Sequence, residues 1–354
     1  MNTIYIRTLK RAEHTVFCVE SGQKTYFDPQ FNKSVPFSSG QQVKRSILDQ
    51  LAKVLNEIPA PTTFVFDVSG KDEIGEGEVF ANCNPAFSDQ LLGGWMKAAK
   101  GGVEKTIKRR SPLSISAMRG LHPLLSGTKK ENVTFDRSDK PNTEVIVRDA
   151  KGNPLSKDEI VDLLAGKDRS LRRKWIPDKS GSSNRATGLF VHDIAIDLRR
   201  LFSVTLNSFE PEITEETHSN LIENGWIESE NVFGKCLVAP KEMRERLIPA
   251  LANAIINWTI TSNQSRTFSL METLAVSISD NANKIAGSIR AKLSHEEENK
   301  AIPVIEEDMA GVETYVTLSA AGYVLTKKET ADALDKAEQS LIDKMMAFDY
   351  ENQL

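Results

Sequence analysis

Cysteine is scarce in this chain: Cys18, Cys83 and Cys236 are odd in number, far apart, and form no C-x-x-C pair. This excludes a disulfide framework and a cysteine-built zinc site, and it fits reduced thiols in a cytoplasmic protein. The sequence also lacks any run of about 18 apolar residues, so no membrane span is expected. The opening MNTIYIRTLKRAEH has neither the basic-then-apolar order nor the small-residue cleavage site of a secretory signal. Histidine is equally sparse. His14, His122, His192, His218 and His295 are mutually remote, with no H-x-x-x-H or H-x-H spacing, so no metal ion is expected. No G-x-S-x-G, P-loop or Cys/His nucleophile pattern occurs, and Gly75-Glu76-Gly77 reads as a turn. The search for catalytic chemistry comes out empty, and no cofactor is expected.

What the chain does have is a core. Of its 354 residues 40% are hydrophobic and 27% charged, enough for one large folded domain or two ordinary ones, and too apolar for wholesale disorder. The net charge of -4 argues against a polyanionic partner until it is divided by region. Residues 1–96 hold 9 basic and 11 acidic side chains, residues 97–185 hold 21 and 11, and residues 186–354 hold 15 and 27. The regional charges are thus -2, +10 and -12. In the middle block Lys97, Lys100, Lys105, Lys108, Arg109 and Arg110 face only Glu104, and Arg169, Arg172, Arg173 and Lys174 lie beside Trp175. Clusters of this kind are the electrostatic footprint of a phosphate backbone, although a solvated charged loop would read the same way.

Periodicity supplies the elements. Residues 3–9 alternate, and 15–19 alternate again after a polar break, which predicts an N-terminal β-hairpin. Val43, Ile47, Leu48, Leu51, Val54, Leu55 and Ile58 form one helical stripe, with Ser38 and Ser39 as cap candidates and Pro59 as the stop. A second helix follows Ala239-Pro240, carrying Met243, Leu247, Leu251, Ile255 and Trp258, with Pro249 expected to kink or restart it. A buried strand is expected over 267–277 and a closing amphipathic helix over Ala331, Leu334, Ala337, Leu341 and Met345. Strand, helix, strands, helix, strand is an α+β pattern, with helices covering one face of a mainly antiparallel sheet; ferredoxin-like or RRM-like topology is its natural candidate. Residues 124 to about 187 are rich in Gly, Ser and charge and poor in apolar period, as an insertion projecting from the core would be.

The segment Ser39-Gly40-Gln41-Gln42-Val43-Lys44-Arg45 sets small polar residues, unpaired backbone N–H groups and two cations at a helix start. Such a start suits a phosphate without reading bases. It is also, taken alone, an ordinary cap followed by surface cations. In context it resembles a family: Pro36-Phe37 through Arg45 is similar to the first-helix opening of the Cas-seven backbone subunits of type I CRISPR surveillance (Cascade) complexes. Four further pieces resemble that family in its own order: Asp89 to Met96, Arg109 to Ser116, Thr187 to Leu198, and Gln264-Ser265-Arg266-Thr267-Phe268 after the late helix.

The resemblance implies an RRM-like palm (1–70 and 187–290), a finger and RNA-groove insertion (71–123), a basic thumb (124–186), and a C-terminal acidic segment with its closing helix (291–354). It implies a scaffold that polymerises along guide RNA (crRNA) with further copies of itself and other Cascade subunits, presenting the guide to target DNA and making no membrane contact. The residues matched to RNA contact are Ser39, Gln41, Lys44, Arg45, Met96, Arg109, Arg110, Trp175 and Arg266. Related RNA-targeting subunits cut with a loop aspartate before the first helix; here Asp28 is the sole carboxylate in residues 21–48, and the slicing position aligns near Gly22, so a non-cutting scaffold is expected. The alternatives are metal-dependent RNA cleavage by Asp28 or a free-standing RRM-like RNA-binding protein, against which the lack of evident paired sheet aromatics counts.

The cancelling charges of the middle and C-terminal regions suit a heterologous contact in which a basic thumb reaches an acidic neighbour. Charge reversal at Arg172, Arg173 and Lys174 is accordingly expected to impair assembly, measured by the size of the purified particle.

Overall fold

The computed structural model describes residues 1–17, 23–68, 70, 74–97, 106–130, 144, 146–166, 184–260, 268–297 and 299–354. Two long strands set the frame. Thr3–Thr15 pairs antiparallel with Asn184–Asp197, from Thr3 opposite Asp197 to Ala12 opposite Gly188, and on its other side with Thr273–Ser279. Among the described residues ten strands join in one sheet. Its path runs Glu329–Thr330, Glu313–Thr317, Thr273–Ser279, Thr3–Thr15, Asn184–Asp197, Met118–Gly120, Lys33–Ser38, Thr25–Asp28; Leu113–Ile115 and Ser126–Lys130 also pair with Asn184–Asp197. Among the described residues these pairings are antiparallel except that of Glu313–Thr317 with Glu329–Thr330.

The expected N-terminal hairpin is instead one continuous strand. The polar break Arg11-Ala12-Glu13-His14 is absorbed by a register shift between Ala12 and Thr15, with His14 left-handed at φ 46°. A bulge takes one extra residue without ending the pairing, and from sequence it looks like a turn.

Two helices cover one face of the sheet because alternate strand residues, Ile4 and Ile6 opposite Ile196 and Ile194, point to that side. Gly40–Leu55 buries Val43, Ile47 and Leu51 and ends at left-handed Asn56, before Ile58, which is 90% exposed. Lys241–Asn257 packs against it and carries Ala333–Met346 on its other side. The helix runs on through Pro249 and does not restart there. Buried Leu247, Ile248, Leu251, Ile255 and Ile256 flank the proline, and their packing outweighs the one N–H bond it removes. The late buried strand begins at Thr273, later than expected.

Lys130 pairs with Asn184 in the sheet. Between them lies the helix Lys157–Leu164, capped reciprocally by Ser156 and Glu159, with no buried residue. Among the described residues no helix is long and apolar enough to cross a membrane, and Cys83 and Cys236 are free and buried.

Under the two helices the sheet buries an unusual pair. Lys10 Nζ donates to Thr273 Oγ1 at 2.9 Å and to the Trp258 carbonyl at 3.4 Å, over the Trp258 ring. The His192 ring meets the same indole edge-on with centroids 5.0 Å apart. Burial holds Lys10 at about 7 against an ordinary 10.5. Burial, assisted by the charges of Lys10 and Arg119, holds His192 at about 3 against 6.5.

The unfolded chain thus binds protons here that the folded chain releases. At Lys10 stability rises with pH between about 7 and 10.5; at His192 stability is complete above 6.5 and falls as pH drops below it. Thermal midpoints measured across pH are expected to follow that course, and Lys10→Met to remove the alkaline-side rise.

Candidate nucleic-acid interface

The first helix begins as its sequence predicts. Ser39 is extended (ψ 151°), its Oγ accepts from Gln42 N at 3.3 Å, and the first turn carries no acidic side chain. Gly40 is required by contact: a Cβ there would stand 2.5 Å from the Ile115 carbonyl oxygen, so only glycine lets the helix start press onto strand Leu113–Ile115. The two cations of this turn part company. Arg45 points outward, its Nε 2.8 Å from Oδ1 of the less exposed Asp49, a pairing that water screens heavily. Lys44 turns inward and donates from Nζ to the carbonyl of Gly93, at the end of helix Ser88–Gly93. Burial and the nearby Arg109 charge bring Lys44 down to about 8. Gln41 is exposed.

Next to this turn lies a two-stranded hairpin, Trp95–Lys97 with Ile107–Arg109, in the register Trp95 opposite Arg109 and Met96 opposite Lys108. Directly opposed residues share a face. One face is buried and holds Trp95 and Arg109; the other presents Met96, 65% exposed, and Lys108. Arg110 is exposed beyond the strand end.

Arg109 is therefore not where the sequence put it. Instead of lining a groove, its guanidinium is buried, with Nη2 donating to the Arg200 carbonyl at 2.9 Å and Nη1 3.7 Å from Glu212 Oε2. Trp95 lies against it and donates from Nε1 to the Glu212 carbonyl at 2.7 Å, while Glu212 Oε2 accepts from Thr205 N. Burial lowers the Arg109 guanidinium to about 10, opposed by the Glu212 charge, and raises the Glu212 carboxyl, opposed by Arg109. The physical reason is alternation: of Lys108, Arg109 and Arg110 the middle residue points to the other side of its strand, into partners from residues 200–212. Lys108 fastens the same seam from outside, its backbone N donating to Pro211 O and its Nζ pairing with Glu210 at 3.0 Å.

Trp175 and Arg266, with Arg169, Arg172, Arg173 and Lys174, lie outside the described residues. Asp28 closes the turn between Thr25–Asp28 and Lys33–Ser38, its Oδ1 accepting from Phe31 N at 3.0 Å. Among the described residues no group of three or more His, Cys, Asp or Glu could hold a metal ion. Neither Glu212 nor Trp95, which hold the hairpin, was among the residues matched to a role: Glu212 stands in no motif, and Trp95, though inside Asp89 to Met96, meets its partner only through the fold. The sequence reading also missed Arg119, opposite Phe37 in the sheet and 3.6 Å from Asp193, a carboxylate shared with buried Arg7.

No family model and no curated protein matches this chain. Solved structures do. A chain of a "CRISPR RNA-guided surveillance complex, pre-nicking" is 10% identical with a TM-score of 0.50, covering 96% of this chain and 100% of that one. A chain of a second "CRISPR RNA-guided surveillance complex" is also 10% identical, covering 96% and 99%, with a TM-score of 0.41. At this identity the likeness is one of fold, and it spans nearly the whole of both chains. The protein has the fold of a CRISPR surveillance-complex subunit.

Replacing Glu212 by Ala would strand the buried Arg109 charge, at an expected cost of about 3–5 kcal/mol. Arg110→Ala, on an exposed side chain, is expected within about 0.5 kcal/mol of the parent. Denaturant unfolding of the two variants checks both.

Proposed function

We propose that this protein is a non-catalytic backbone subunit of a CRISPR surveillance complex, in which it binds guide RNA by its phosphates. It polymerises along the guide with copies of itself, joins other Cascade subunits, and leaves the bases free to pair with target DNA in antiviral defence. The observation that carries this reading is the end-to-end fold likeness to a surveillance-complex chain. It is joined by the helix start Ser39 to Arg45, with Gln41 and Arg45 exposed, which Lys44 ties through the Gly93 carbonyl to the segment leading into the hairpin of exposed Met96 and Arg110. Sequence-blind grip requires phosphate contacts, because base contacts would specify one guide. Arg109 serves it from behind, by holding the hairpin.

The palm of this reading is RRM-like. Its support is that Thr273–Ser279, Thr3–Thr15, Asn184–Asp197 and the broken pair Leu113–Ile115 and Met118–Gly120 lie side by side in the places of the fourth, first, third and second strands of a βαββαβ frame, with Gly40–Leu55 and Lys241–Asn257 as its helices. Scaffolding without cutting is supported by Asp28, whose carboxylate caps its own turn.

A guide-length RNA of fixed size should co-purify with the protein, which a free-standing RNA-binding protein would not select. Single-stranded RNA binding should weaken steeply with salt, and Lys44→Glu or Arg45→Glu should each lower the slope of log affinity against log salt by about one. Affinity should fall as pH rises through about 8, where Lys44 loses its proton, and Lys44→Arg should flatten that fall. Salt-independent binding overturns the reading, and loss of target-RNA cleavage in Asp28→Ala would establish the cutting alternative.

A further inference from the structure

One exposed feature is not used by the phosphate site. The strand Thr25–Asp28 forms one end of the ten-stranded sheet and pairs with Lys33–Ser38, which runs directly into the Ser39 cap. On this hairpin Tyr26 and Phe37, eleven positions apart, meet ring edge to ring face with centroids 6.1 Å apart and planes at 63°. Tyr26 is 36% exposed and Phe37 half-buried. Arg119, its side chain 43% exposed, lies directly opposite Phe37 on the neighbouring strand and so shares its face.

We propose that Tyr26, Phe37 and Arg119 form a stacking platform for an unpaired base of single-stranded RNA, immediately beside the phosphate-binding helix start. The inference rests on the RNA-binding reading above and adds a base contact to it. Every base has a π-face, so stacking on rings and a guanidinium adds affinity without reading sequence. That is compatible with a scaffold for arbitrary guides. Continuity supports RNA as the occupant: Phe37 is two residues from Ser39, about 7 Å by strand rise, so the platform and the helix N–H groups lie within reach of neighbouring parts of one strand. The charge around the rings agrees. Asp193 is engaged by Arg7 as well as by Arg119, and Asp28 by Phe31 N, while Lys33 stands exposed at the hairpin.

The test compares two probes of equal length, an oligouridine RNA and an abasic ribose-phosphate oligomer, titrated against the full-length protein. Tyr26→Ala and Phe37→Leu should each lose roughly tenfold in affinity for oligouridine and nothing for the abasic oligomer, while Tyr26→Phe keeps parental binding to both. Phe37→Leu keeps an apolar side chain at a half-buried position, and thermal unfolding checks that each variant is folded. Equal losses on the two probes, or none on either, overturn the platform. Unchanged RNA affinity with altered self-association in light scattering overturns it too, and assigns the patch to a contact between copies. If the parent protein binds oligouridine in a manner dependent on Lys44 and Arg45 but not on Tyr26, the platform fails alone. If the parent binds neither probe, the RNA-binding reading fails with it.

Discussion

The pairing of Thr3–Thr15 with Asn184–Asp197 is the constraint on which the rest of the molecule depends. It joins segments more than 170 residues apart, and it orients both faces of the sheet at once: Ile4, Ile6, Ile194 and Ile196 toward the helices, Arg7 and Asp193 toward the opposite side. Among the described residues every other strand of the ten-stranded sheet attaches to one of these two strands or to a strand already attached. Along its other edge, among the described residues, the strand Asn184–Asp197 serves three partners, Ser126–Lys130, Met118–Gly120 and Leu113–Ile115. The change of partner falls near Gly188, at φ 130°, where a Cβ would stand 2.3 Å from the Leu125 carbonyl oxygen. Only glycine accepts both the backbone angle and the close approach.

From that frame the site follows by attachment. Strand Leu113–Ile115 is held by Asn184–Asp197, and the first helix begins against its last carbonyl, through Gly40. The hairpin with Met96 and Lys108 is not part of the large sheet. It is fixed by the buried Arg109, Trp95 and Glu212 contacts to residues 200–212. A buried ion pair contributes little net stability against an apolar replacement, but it penalises any arrangement that leaves one charge unpaired. Here the consequence is positional, since the pair holds one face of the hairpin down and leaves the other exposed.

Charge in this protein is informative only when located. The total of -4 conceals a basic middle and an acidic remainder, and the structure divides the cations again. Arg109 is structural, Lys44 half-committed to a backbone carbonyl, and Arg45 and Arg110 open to water. Lys10 is a cation of the N-terminal region buried wholly inside, against an indole and a hydroxyl. Surface potential therefore arises from a subset of the basic residues that composition counts.

The sequence by itself determined the three long helices, the Ser39 cap and the regional charge, because each is set by residues within a few positions of one another, through helical period, a cap side chain reaching the third N–H, and local composition. Only the tertiary structure decided that residues 3–15 bulge rather than turn, that Pro249 leaves its helix intact, and that Arg109 points inward between two outward cations. It also brought Tyr26 onto Phe37 and Arg119, and Trp95 onto Glu212. Each of these depends on a partner distant in the chain, a strand edge, a packed face or a counter-charge, and short-range pattern carries no record of which distant segment will supply it.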